Sequence, residues 1–105
     1  MGVVAYVPDL MDRSRVAAAG VEVSFVAGPE ALAAAAAGAD VVVVVVDLGR
    51  PGVVEVLPQV VATGARVLGF GSHVDRATLR AAAEAGCEAM ARSRFFAGVD
   101  ELLGP

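Results

Sequence analysis

Five short apolar runs recur along the chain, each followed by a turn and then a more polar or alanine-rich stretch. The runs are Gly2–Val7, Val21–Val26, Asp40–Asp47, Arg66–Phe70 and Cys87–Ala91. They are valine-rich or apolar and short, as strands buried on both faces of a sheet are. Val41 to Val46 is an unbroken row of valines between Asp40 and Asp47, with no alternation of polar and apolar positions. That pattern predicts the central strand, covered by helices on both sides.

Helix-start signals fall between the runs. Asp9 followed by Asp12 resembles a capping box, and Pro29 and Pro51 suit first-turn positions after Gly28 and Arg50. Ser72 with Asp75 repeats the capping pattern and puts His73 in the first turn of the fourth helix, while Ser93 precedes a last helix over Phe95–Leu103. The Ala33–Ala37 run is the second helix, built from the best helix former. Gly20, Gly38, Gly64, Gly86 and Gly104 each follow a helical stretch, where a C′ glycine belongs. Pro58 either kinks the third helix or delays its start. Alternating strands and helices with short crossovers force parallel strands, and right-handed crossovers place helices on both faces. The expected fold is therefore an α/β three-layer sandwich, one domain over residues 1–105, with a five-stranded parallel sheet. The flavodoxin-like order 2-1-3-4-5 suits five units better than a barrel of eight.

Composition narrows the function classes. Hydrophobic residues make up 57% of the 105 positions and charged ones 19%, with mean hydropathy +0.71, so the chain can fill a core. A formal net charge of −4 argues against nucleic acid as a partner. The valine run is far shorter than the roughly 20 residues a membrane span needs. No basic segment precedes Asp9, so no secretory signal and no membrane are expected, and the cytoplasm is the expected compartment. Cys87 is the single cysteine, which excludes an internal disulfide; it opens the fifth strand as a small buried hydrophobe. All eight basic residues are arginine; there is no lysine.

In an open parallel sheet, ligands bind beyond the carboxyl ends of the strands. That rim collects Pro8-Asp9, Asp47 to Arg50, Gly71 to Asp75, and Arg92-Ser93-Arg94, with Asp9 and Asp47 expected close together on neighbouring strands. Across nearly its whole length the chain resembles a response-regulator receiver domain. Asp40 to Gly52 is similar to the receiver segment that ends in the phosphoacceptor aspartate and a following proline, so Asp47 falls on the acceptor. Val67 to Asp75 is similar to the fourth strand and its loop, and Gly86 to Phe95 to the fifth strand and the entry to the last helix. The resemblance implies an acidic pair for Mg²⁺ after the first strand, a hydroxyl ending the fourth and a lysine after the fifth. Those positions hold Pro8 and Asp9, Gly71 (with Ser72 one place late) and Ser93, flanked by Arg92 and Arg94.

Each candidate carries two readings. Asp47 could accept phosphate or bind Mg²⁺ with Asp9; equally, Asp9 caps the first helix and Asp47 bonds its own loop amides. His73 is a general base or metal ligand, or an exposed helix residue. Gly69-Phe70-Gly71-Ser72 reads as a flexible turn that, with Arg92 and Arg94 nearby, could hold an anion, or as plain turn chemistry. Phe95, Val99 and Leu102 share a stripe that packs on the sheet. Phe96 and Leu103, on the neighbouring stripe, either pack in the core or are left partly exposed and so offer a homodimer interface. Arg76, Arg80 and Glu84 form a solvated stripe. The expected function is a degenerate receiver-like signalling or protein-interaction module without phosphotransfer, enzymatic activity or cofactor. The alternative is a small-ligand or anion-binding domain at the carboxyl rim, using Asp9, Asp47, Ser72, His73, Arg92, Ser93 and Arg94.

Overall fold

Each apolar run becomes a strand lying parallel to its neighbours in the computed structural model, which describes residues 2–104. Met1 and Pro105, the two ends of the expected domain, lie outside the described residues. The strands are β1 (Gly2–Tyr6), β2 (Val23–Phe25), β3 (Val41–Asp47), β4 (Arg66–Gly71) and β5 (Glu88–Ala91), in the order β2-β1-β3-β4-β5. The helices are α1 (Leu10–Ala17), α2 (Leu32–Ala36), α3 (Val53–Val61), α4 (Arg76–Glu84), α5 (Arg92–Ala97) and α6 (Val99–Leu103). A single 3₁₀ turn over Pro29–Ala31 leads into α2. Among the described residues no helix is long and apolar enough to cross a membrane.

The core has two halves, one on each face of the sheet. Val4, Val44, Val46 and Val67 meet Leu32, Leu57, Val60 and Ala82 of α2, α3 and α4. Val3, Ala5, Val45, Leu68 and Phe70 meet Val16, Phe95, Phe96, Val99 and Leu103 of α1, α5 and α6. The valine row needs no alternation because Val44 and Val46 face one helical layer and Val45 the other. Only its first residues protrude past the layers, leaving Val42 exposed.

Several local expectations are corrected. Gly69, Phe70 and Gly71 belong to β4 and are not a turn. A Cβ on Gly69 would lie 2.8 Å from both Cys87 Sγ and Leu48 Cδ2, so a side chain at this strand position would require those two to shift. The cap of α4 is Asp75, not Ser72: its carboxylate accepts from Thr78 N–H at 3.2 Å and Thr78 Oγ1–H at 2.7 Å. The helix starts at Arg76, which puts the Thr78 amide three residues beyond Asp75, within its capping reach, and leaves His73 in the preceding loop. Pro51 sits in the turn before α3 rather than in its first turn. Helix α3 runs through Pro58 from Val53 to Val61. Gly20, Gly64 and Gly86 take left-handed φ, whereas Gly38 and Gly104 do not.

The last helix is the largest departure. It breaks at Gly98 into α5 and α6. Phe96 packs against Phe70 and Phe95 and is 6% exposed, Leu103 is 3% exposed, and Leu102 is left half-buried. Of the two readings of Phe96 and Leu103, core packing holds; their partial exposure, and with it their candidacy as an interface, is overturned. Arg76, Arg80 and Glu84 are exposed.

Candidate functional site

Strand register aligns the carboxyl ends: Tyr6 pairs with Val46, Asp47 with Phe70, and Gly71 with Ala91. The loops that follow β1, β3, β4 and β5 thus share one rim, as parallel topology requires.

Asp47 closes β3 with its side chain 14% exposed. Its Oδ1 accepts from Gly49 N–H at 3.0 Å and its Oδ2 from Arg50 Nε–H at 3.2 Å. Both oxygens are therefore engaged by the aspartate's own loop. Leu48 N–H donates to the Phe70 carbonyl at 2.8 Å, tying that loop to β4. Asp9 is the cap of α1; its Oδ1 accepts from Asp12 N–H at 3.0 Å.

The capping box is only half made, because the Asp12 carboxylate turns away from Asp9. Asp12 is the only buried charged or polar residue among those described, 2% exposed, and receives both terminal nitrogens of Arg92. Nη1 donates to Oδ2 at 2.6 Å, and Nη2 donates to Oδ1. The guanidinium also lies over the rings of Phe70 and Phe96, 5.8 and 5.1 Å from their centroids. Its hydrogen bonds, and then its charge, hold the Asp12 carboxyl below the usual carboxylate range, against the opposing effect of burial. This pair was missed from sequence, where Asp12 reads as the partner of Asp9. A signal existed: Asp12 lies four residues before Val16, on the inward stripe of α1, and a buried carboxylate needs a cation.

An open cleft of about 290 Å³ on the rim brings together Asp47, Ser72, His73, Arg92 and Ser93. Asp9 and Arg94, expected with them, do not line it. Arg94 instead borders a separate groove beside the Arg66–Glu88 ion pair and Glu101. His73 and Ser72 are exposed, and Ser72 Oγ makes only a long 3.4 Å contact with Val74 N–H. Among the described residues no three His, Cys, Asp or Glu side chains gather in a metal-holding group.

Cys87 lies beneath β4, buried, and burial pushes its thiol up to about 12, helped by the charge of Glu88. A thiolate population that small suppresses alkylation by roughly a thousandfold against an ordinary cysteine at pH 8. Iodoacetamide is expected to leave the native protein unmodified over an hour and to label it rapidly in urea. Mass spectrometry checks this, and fast native labelling would contradict it.

No protein-family model matches the chain, and no curated protein matches it. Among solved structures, the crystal structure of a response regulator receiver domain from Rhodospirillum rubrum superposes with a TM-score of 0.73 at 16% identity. The match covers 97% of this chain and 90% of that one. The chain has the fold of a receiver domain, as the resemblance implied.

Proposed function

We propose that this is a receiver-like signalling domain that acts through protein contact and does not accept phosphate. The observation that carries the reading is the engagement of Asp47, whose two oxygens are held by Gly49 N–H and the Arg50 guanidinium. A nucleophilic carboxylate must be free to attack, and the transferring phosphoryl group needs Mg²⁺ and fixed cations around its oxygens. The residues present do not fit that metal: Pro8 offers no oxygen donor on its side chain, Asp9 is committed to its helix cap, and Asp47 faces Arg50. Gly71 and Ser93 stand where the receiver pattern has a hydroxyl and a lysine. Losing one preorganised donor costs about 3 kcal/mol, or roughly a hundredfold in rate, and several are missing here.

Intact mass spectrometry after incubation with acetyl phosphate and Mg²⁺ tests the reading. The expected result is unmodified protein; a gain of one phosphate that disappears in Asp47→Asn would overturn it. An anion at the rim cleft is the less favoured alternative. Asp47 contributes negative charge there, Arg92 is neutralised by Asp12, and Arg94 lies elsewhere. With Phe96 and Leu103 buried, self-association through them has no basis, so the contact surface must be another.

A further inference from the structure

We infer that the groove between α1 and α5 is a docking site for a carboxylate side chain of a protein partner. The groove encloses about 390 Å³ and is lined by Arg15, Arg92, Ser93, Phe96 and Ala97. It is distinct from the rim cleft, although Arg92 and Ser93 border both. Two guanidiniums lie over the Phe96 ring, Arg15 Cζ at 4.2 Å from the centroid and Arg92 Cζ at 5.1 Å. Stacking on a ring restrains a guanidinium while leaving edge N–H groups to donate, which lowers the ordering cost of binding.

Charge selects the ligand. Arg92 is paired with Asp12, but Arg15 has no ion-pair partner among the described residues. With Asp12 taking Arg92, Arg15 is the guanidinium of the groove lining left without an ion-pair partner, on a chain whose formal net charge is −4. A single carboxylate matches that charge and the planar fork of a guanidinium. A phosphate dianion would leave excess negative charge beside buried Asp12.

Position selects the source. Met11 precedes Arg15 by one helical turn on the same stripe of α1 and is 78% exposed, the most exposed large hydrophobic side chain among the described residues. Aromatic and methionine contacts beside arginine are what protein interfaces enrich. A partner segment with an apolar side chain over Met11 and a glutamate or aspartate one turn along, about 5.4 Å away on a helix, would engage both features. The choice of a protein source rests on the interaction-module reading; the charge of the groove does not.

The probe is a capped helical peptide carrying leucine and glutamate four residues apart, titrated into ¹⁵N-labelled protein. Saturable shifts are expected at the Arg15 and Arg92 Nε–H and the Ser93 amide. Binding should weaken at least tenfold when the peptide glutamate is replaced by glutamine, and equally in the exposed-site variant Arg15→Gln. A thermal melt of that variant within a few degrees of the parent confirms that it is folded. Equal binding of the glutamine peptide, shifts confined to other surfaces, or no saturation would overturn the proposal. So would acetate or inorganic phosphate saturating the same signals as well as the peptide, which would assign the groove to small anions. Each of these failures leaves the acetyl phosphate result untouched, and a phosphorylated Asp47 leaves the titration untouched.

Discussion

Arg92→Ala is expected to lower the unfolding free energy by about 2–3 kcal/mol, against about 1 kcal/mol for Asp12→Asn. Breaking a fully buried ion pair typically costs about 3–5 kcal/mol, because one charge is stranded without a partner. Asp12, 2% exposed, is such a charge, but the Arg92 side chain is 49% exposed, so water moderates the loss. The guanidinium also leaves the faces of Phe70 and Phe96 uncovered when it is removed. Asp12→Asn strands only Arg92, which water can solvate. In a domain of this size 1 kcal/mol shifts the melting temperature by roughly 4–8 °C, so Arg92→Ala should melt roughly 10–20 °C lower. Urea denaturation and thermal melts measure both variants; an Arg92→Ala melt indistinguishable from the parent would contradict the assignment.

The same pair sets a pH dependence. The Asp12 carboxyl is held below its ordinary value in the folded chain. A group of this kind contributes stability that is fully present above its unfolded pKa, about 4, and is lost as pH falls through the folded value. The stability gap between the parent and Asp12→Asn should therefore be constant from pH 5 to pH 7 and close below about pH 4.

Phe95→Ala is expected to cost about 4 kcal/mol, a large share of the roughly 5–15 kcal/mol that holds a small domain together. Phe95 is fully buried, stacked on Phe70 with centroids 5.0 Å apart and edge-on to Phe96 at 5.0 Å. Helices α5 and α6 are only 6 and 5 residues long, too short to persist without the packing that this ring provides. Phe95→Leu, which keeps much of the volume, should lose less than half as much. Denaturant unfolding gives the energies. Hydrogen exchange should show α5 and α6 losing protection first, and uniform loss across the sheet would argue against that local role.

Much of this protein was legible in its sequence because the signals are local. An apolar run such as Val41 to Val46 specifies a strand buried on both faces, and the helical stretches between such runs force parallel pairing in the order found. Asp9 as a cap and Cys87 as an inert buried thiol follow from residue type and immediate neighbours. The departures arise where two local signals compete: Asp75 displaces Ser72 as the cap, and Gly98 outweighs the continuous stripe from Phe95 to Leu103.

The site belongs to the other category. Asp12 and Arg92 are 80 residues apart, and nothing within a turn of either names its partner. Packing places Asp12 on the inward face of α1 and brings the end of β5 against it, and desolvation then leaves its carboxylate no stable alternative to the guanidinium. That pairing gives Arg92 to Asp12, while Asp47 turns to Arg50. Residue type and spacing thus determined the sheet, its helices and the rim on which the polar groups gather. Which charge meets which depends on distance and water exclusion, and those quantities exist only once the two helical layers have closed on the sheet.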